Sequence, residues 1–384
     1  MSDGLVLRGG TVLSASGWLS QCDVQIAAGR IVALGGAAGA GGEGLDARDH
    51  LVVPGFVDVH VHGAGGAMFE NGCDDAVARI RAALPRFGVT GVTATIATLP
   101  PERLRAAVAA IARAAAEGGG TRLLGIHLEG PFLNPQRCGA QAAAWMRAPS
   151  LGEVQALQRA SGGLIRLITL APELPGALEL IAALRGQGIA VAIGHSDASE
   201  DQMLAAVAAG ATHITHLFNA AAPLHHRAPG LVGTALTDDR LSVEVIADGI
   251  HLHRRALDIA LRCKPPGSVV LVSDGVAAVG MPDGELELFG VTCVAHDAVR
   301  IRATGRLAGS RLTLDRAVRN LRDWFPGTPL ERWLRAASAA PAAVVGLGDR
   351  FGSIAVGYEA DLVVLTRNLE VAVTVVHGRI VYRA

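Results

Sequence analysis

Six side chains able to hold a cation or move a proton close short apolar runs scattered between residues 60 and 274. They are His60 and His62 in Val59-His-Val-His62, Glu129 ending Leu123–Glu129, His195 ending Gly188–His195, His216 ending Ala211–His216, and Asp274 ending Ser268–Asp274. Side chains alternate along a strand, so His60 and His62 share one face. Any one of these histidines alone reads most simply as a hydrogen-bonded core residue. The set does not, because buried polar groups left unpaired are costly and this many need a common partner. Imidazole plus carboxylate is a donor set suited to Zn2+ or another first-row divalent ion. Such an ion acidifies water and polarises a carbonyl, which is the chemistry of hydrolysis.

The elements that must position these groups repeat. Eight β-branched-rich runs alternate with helical patterns: Gly55–His62, Gly88–Thr95, Leu123–Glu129, Ile165–Leu170, Gly188–His195, Ala211–His216, Leu241–Asp248 and Ser268–Asp274. Amphipathic helices are predicted over Pro101–Glu117, Leu151–Ala160, Pro175–Gly186 and Ser199–Ala209, the last with Ser199 and Asp201 where caps belong. Eight such repeats predict an α/β fold, a (β/α)8 TIM-type barrel over residues 55–337, whose reactive groups belong at the carboxyl ends of the strands. Residues 1–54 and 338–384 instead alternate over short strands (Leu5–Val12, Asp23–Ala27, Arg30–Leu34; Ser353–Val356, Asp361–Leu365, Val371–Val376, Arg379–Tyr382). Neither end carries enough apolar surface alone, so together they predict one small β-sandwich built from both termini. Gly35–Gly44 reads as a Gly/Ala-rich surface loop, and Met281–Arg306 as a hairpin that is a lid or an edge over the barrel mouth.

Composition narrows the partners. Of 384 residues half are apolar, 18% are charged and the net charge is −1, so a large core is available and no basic field exists for nucleic acid. Eight Phe, four Trp and two Tyr are too few for a base-stacking surface. The longest stretch without Asp, Glu, Lys or Arg, Gln202–His226, holds four His, an Asn and a Pro, which no lipid-facing helix tolerates. Five separated cysteines (Cys22, Cys73, Cys138, Cys263, Cys293) with no CxxC, and a Met-Ser-Asp-Gly start unlike a signal peptide, predict a cytoplasmic protein with reduced thiols.

Of the 34 basic residues only Lys264 is lysine. Many barrel metallohydrolases bridge two metals with a lysine carbamate at a strand end. Lys264 lies in Arg262-Cys-Lys-Pro-Pro266, before strand eight, so the bridge here must be a carboxylate, and Glu129 is the one that fits.

These residues resemble a known family. Pro54-Gly-Phe-Val-Asp-Val-His-Val-His-Gly63 is similar to the opening motif of the amidohydrolase superfamily. Its resemblance narrows to the N-acetylglucosamine-6-phosphate deacetylases through His127-Leu-Glu-Gly-Pro-Phe132, Gly194-His-Ser-Asp-Ala198, Thr215-His-Leu-Phe-Asn219, Asp248-Gly-Ile-His251, Ser273-Asp-Gly275 and Ala360-Asp-Leu-Val-Val364. The order and spacing hold over essentially the whole chain. The resemblance implies that Glu129, His195 and His216 hold a principal metal, and that His60 and His62 hold a second with Glu129 as bridge. One or two divalent ions per chain are expected, zinc first, with iron, manganese, cobalt or nickel as alternatives.

On the same resemblance Asp274 is the general base and acid, and Asn219, Ala220, Arg227 and His251 grip a small amino-sugar phosphate. Arg227 reaches in from the neighbouring subunit of a homodimer, and Leu307, Ala308 and Gly309 belong to a substrate-side loop. Gln141 stands where some relatives carry a histidine on the amide carbonyl; an amide can donate a hydrogen bond there but cannot be cationic. The alternatives are the galactosamine epimer as substrate, a cyclic-amide hydrolase, and a non-catalytic scaffold. His127 reads either as a partner of a ligand or as core packing, His213 as structural, and His225 and His226 as lining the mouth.

Overall fold

The computed structural model describes residues 4–36 and 43–384. Met1–Asp3 and the 37–42 part of the loop expected over Gly35–Gly44 lie outside the described residues.

All eight expected barrel strands form: Phe56–Val61, Val89–Ala97, Arg122–Glu129, Ile165–Leu170, Ala190–Ile193, His213–Ile214, Ser242–Val245 and Val269–Leu271, each parallel to the next. Every residue of the first two is buried, as expected where a sheet is covered on both faces. The ring closes at its carboxyl end. Val61 bridges Gly275, the Asp274 amide donates to the His60 carbonyl at 2.9 Å, and the His62 amide donates to Gly275 at 2.8 Å. Lower on the same seam, the Asp58 carboxylate accepts from the Ser273 amide at 3.3 Å, and the Val57 amide donates to Ala337 at 2.9 Å.

Helices at Pro101–Ala116, Leu151–Ala160, Ala177–Gly186 and Glu200–Ala209 cover the barrel within a residue or two of the expected spans. Ser199 caps the last of these in a reciprocal capping box with Gln202. Asp201 falls in the first turn instead of at the cap, where its charge suits the helix dipole. Among the described residues no helix is long and apolar enough to cross a membrane.

Both termini feed one eight-stranded, mostly antiparallel sheet. Arg379–Arg383, Val371–Val376, Leu362–Leu365, Leu51–Pro54, Gly4–Ser14, Gly17–Ala27 and Arg30–Leu34 follow one another across it, and Glu43–Asp46 adds in parallel to Gly4–Ser14. Its apolar face has its own core, including Leu7, Val24, Ile31, Val52, Leu362 and Val375. Ser353–Val356 makes only a single bridge, Ile354 to Ser14, because Gly352 (φ 80°) and Gly357 (φ 91°) turn the chain on either side. Buried Glu359 joins this sheet to the barrel: its carboxylate takes Arg30 at 3.1 Å, Arg350 at 2.9 Å, His377 at 3.2 Å and Arg122 of the third barrel strand at 2.8 Å.

The segment after strand eight forms a three-stranded antiparallel sheet, Gly284–Leu288, Val291–Ala295 and Val299–Ile301. It packs its inner face on Met68, Val276 and Ala308 beside the barrel mouth.

Candidate metal centre

The six strand-end groups converge. Glu129 Oε1 lies 2.9 Å from His195 Nε2, 3.0 Å from His216 Nε2 and 3.5 Å from His60 Nε2; Glu129 Oε2 lies 3.4 Å from His62 Nε2. Asp274 Oδ1 is 3.5 Å from both His60 Nε2 and His62 Nε2. Two triads result, His60/His62/Asp274 and Glu129/His195/His216, with the donor atoms of each within 4.8 Å of one another. Glu129 stands between them.

The triads test differently for a cation. Ligand bonds near 2.1 Å in a tetrahedron put ligand atoms about 3.4 Å apart. The edges around His60, His62, Asp274 and Glu129 already have that length, too long for hydrogen bonds. His60 Nε2 is fully buried with no hydrogen-bond partner, an orphan that a metal would satisfy. The second triad is tighter, at 2.9–3.1 Å, and opens by a few tenths of an ångström to the same spacing. The residues fit a divalent ion in both places.

Backbone aims the side chains. His195, His216 and Asp274 sit at φ of 50°, 27° and 50°, in the left-handed region that non-glycine residues avoid. Each lies two or three residues past the end of its strand, in a sharp turn at the barrel mouth. Such strain clusters at functional sites, held by the surrounding packing.

A second layer of carboxylates orients the imidazoles. His60 Nδ1 lies 2.8 Å from Glu244 Oε2, and His62 Nδ1 lies 2.7 Å from Glu70 Oε1. His195 Nδ1 donates to the Arg137 carbonyl at 2.7 Å. These contacts place the proton on Nδ1 and leave Nε2 for the metal. Glu244 does more: it accepts the His216 amide at 2.9 Å and faces His213 Nε2 at 3.2 Å, while His213 Nδ1 meets Ser242 Oγ at 2.7 Å. Neither Glu70 nor Glu244 was expected from sequence. The available signal was a charged residue inside the apolar run Ser242-Val-Glu-Val-Ile246, which demands a buried partner.

The electrostatics match a cation's place. Burial disfavours the charged form of His60, but Glu244, Glu129 and Asp274 outweigh it and raise its pKa to about 9; His62 is likewise driven well above its ordinary value by Glu70, Asp274 and Glu129. Burial pushes the Glu129 carboxyl up, yet His60 and His195 hold it well below the usual carboxylate range. Asp274, also buried, is held low by His62 and His60, so it is a carboxylate at neutral pH. His127 is different: burial and the neighbouring His60 push it down to about 3, and its ring is held by Thr95 Oγ1 at 3.2 Å and Thr169 Oγ1 at 2.7 Å. It packs edge-on against His60 as a neutral core ring.

A cavity of about 160 Å³ opens over the cluster. Of the side chains expected around substrate, Gln141, Asn219, Ala220, His251, Leu307 and Gly309 line it. Ala308 does not; it is fully buried in the apolar layer beneath the hairpin. Arg227 lies outside the cavity, exposed, with Nη1 2.7 Å from His226 Nε2. Gln141 is already engaged: its NH2 donates to Glu129 Oε2 at 2.6 Å and its carbonyl accepts the Thr98 amide at 2.8 Å. His251 Nδ1 lies 2.7 Å from Asp248 Oδ2, and that carboxylate also caps the turn through the Ile250 and His251 amides. Lys264 is buried far from the mouth, its ammonium donating to the Asp238 carbonyl at 2.7 Å.

Known proteins are similar to this chain over most of its length. The chain is 37% identical over 338 residues to the N-acetylglucosamine-6-phosphate deacetylase of Bacillus subtilis (strain 168), covering 87% of this chain and 85% of that one. It is 37% identical over 377 residues to the N-acetylgalactosamine-6-phosphate deacetylase of Escherichia coli O157:H7, covering 98% of each. A mutant N-acetyl-D-glucosamine-6-phosphate deacetylase from Mycobacterium smegmatis, solved in complex with N-acetyl-D-glucosamine-6-phosphate, superposes with a TM-score of 0.92 at 37% identity. That match covers 98% of this chain and 99% of that one. The model of the amidohydrolase family matches residues 51–381. With that span and those relatives, the chain belongs to the amidohydrolase family.

Proposed function

We propose that the chain hydrolyses the N-acetyl group of N-acetylglucosamine 6-phosphate, giving glucosamine 6-phosphate and acetate. The observation that carries this reading is the convergence of Glu129, His195, His216, His60, His62 and Asp274 on one cavity. A cyclic-amide hydrolase built on a carbamate lysine does not fit, because Lys264 is committed elsewhere. A scaffold that has lost its chemistry does not fit either, since none of the six groups is missing.

When bound, a divalent ion in this site supplies Lewis acidity, lowering the pKa of water and polarising the amide carbonyl. Glu129, His195 and His216 would hold the principal ion, and His60 and His62, together with Glu129, would hold a second. Asp274, a carboxylate at neutral pH, takes the proton of the attacking water and delivers it to the departing amine nitrogen, so one side chain serves both halves of the reaction. Asn219 and His251 line the cavity and offer hydrogen bonds to sugar hydroxyls. Gln141, its amide spent on Glu129, positions that carboxylate and leaves carbonyl activation to the metal.

Arg227 is the phosphate grip, contributed by a second copy of the chain, since it stands exposed outside its own cavity. Planar guanidinium suits such an oxyanion. Arg227→Ala raises KM for the phosphorylated sugar alone; an equal rise for the unphosphorylated sugar overturns that role. We place the protein in the cytoplasm, where such a phosphorylated sugar is found and separated thiols stay reduced.

A second reading, the galactosamine epimer, is supported by the relative that matches 98% of both chains. Acetate release from both sugar phosphates, with and without chelator, tests the proposal. Chelator-sensitive turnover of the gluco substrate is expected; preference for the galacto epimer selects the second reading, and no turnover of either overturns both.

A further inference from the structure

The hairpin beside the mouth carries one residue whose backbone runs against its side chain. Leu288 pairs with Val291, so Phe289 and Gly290 form a two-residue turn, and both have positive φ, 52° and 82°. That turn type takes Asn, Asp or Gly at its first position, because a large side chain there is strained. A phenylalanine kept in it needs a tertiary reason. The ring supplies one. It does not lie out over solvent: it lines the cavity and meets His62 edge-on, with ring centroids 5.4 Å apart.

The cavity is lined by two kinds of side chain: Asn219, His251 and Asp274 offer polar atoms, whereas the side chains of Phe289, Leu307 and Ala140 offer only carbon. In the proposed reaction the attacked carbonyl carbon must lie within reach of Asp274, itself 3.5 Å from His62. The substituent on that carbon is one bond away, so it lies in the shell directly around Asp274 and His62. Sugar hydroxyls suit the polar side chains, and the apolar group left to place is the acyl methyl. The apolar surface standing on His62 is the Phe289 ring.

We propose that Phe289 sets acyl-group specificity: its ring closes the cavity beyond the acetyl methyl and excludes longer acyl chains. This rests on the deacetylase reading above. The hairpin then serves as a gauge carried on a separate sheet, whose length can change without disturbing the metal ligands on the barrel. The strained turn fixes the ring's depth, since a relaxed turn would let it swing out.

The test compares N-acetyl-, N-propionyl- and N-butyrylglucosamine 6-phosphate on the zinc-loaded enzyme. One methylene against an apolar wall discriminates by roughly 10–200-fold. Wild type is expected to lose about tenfold or more in kcat/KM per added methylene. Phe289→Asn keeps a residue suited to the turn and removes the ring; Phe289→Ala removes it less gently. Both are expected to raise the propionyl-to-acetyl ratio of kcat/KM about tenfold or more, with zinc content unchanged. If wild type cleaves the acetyl substrate and the ratio moves less than twofold in both variants, Phe289 is not the gauge. If wild type cleaves none of the three, the deacetylase reading itself falls, and this inference with it.

Discussion

Replacing Glu244 by glutamine isolates what the second layer contributes. Glu244 Oε2 accepts from His60 Nδ1 and from the His216 amide, and Oε1 faces His213 Nε2. An amide oxygen in the place of Oε2 keeps the first two contacts. Its NH2 in the place of Oε1 can donate to His213, whose Nδ1 then donates to Ser242 Oγ. Geometry is preserved and only the charge is lost. Alanine would be a poor choice, since it leaves three buried polar groups unpaired at about 1–3 kcal/mol each. Loss of a carboxylate behind a metal-bound histidine typically costs about 10–100-fold in metal affinity, which is about 1.4–2.8 kcal/mol. The loss should fall on the His60/His62/Asp274 triad, because Glu244 touches the ring of His60 but only the backbone of His216. Zinc bound per chain, measured by elemental analysis after equilibration against graded chelator buffers, is expected to show two steps in wild type. In Glu244→Gln one of the two steps should shift and the other stay where it is. Equal shifts in both steps, or none, would refute the reasoning that a buried charge behind His60 governs that site.

Three further outcomes follow from the same geometry. Asp274→Asn is expected to lower kcat by about 10²–10⁴ while zinc at Glu129, His195 and His216 is retained; near-normal turnover removes the acid–base role. Metal affinity should rise with pH up to about 9, because protons on His60 and His62 compete with the ion and burial alone does not displace them; titrating zinc at several pH values between 6 and 9 checks this, and a flat profile contradicts it. At Glu359 burial favours the neutral acid, but Arg350 and Arg122 hold the carboxyl at about 2 against an ordinary 4.5. Its contribution is therefore complete above about pH 4.5 and drains away as pH falls towards 2. Thermal melts of wild type and Glu359→Gln should converge on acidification through that window; a gap that stays constant with pH would show that charge is not what ties the sheet to the barrel.

Much of this protein is readable from its residues because the governing patterns are local. A strand buried on both faces is a continuous apolar run, and a ligand at its carboxyl end breaks that run at its last position, which is how Glu129, His195, His216 and Asp274 stand out. Glu244 and Glu70 break no boundary. Glu244 lies inside its strand, and its partner His60 is 184 residues away, so only the closed ring brings them together. Gln141 shows a different limit: its position near the amide site was expected, but its two hydrogen bonds to Glu129 and Thr98 depend on loop conformation. Ile354 shows a third, where alternation suggested a strand and flanking left-handed glycines reduced it to one bridge.

The barrel ring is shut mainly between residues 58–62 and residues 273–275, which follow the last strand, and those are the chain segments that carry His60, His62 and Asp274. An ion gripped from both segments would act as a rivet across the one place where the ring has to be shut between sequence-distant ends. Amide exchange along Val57–His62 and Val272–Gly275 should then slow when zinc is added, far more than exchange in the strands opposite, making loading of the cofactor and locking of the cylinder a single event.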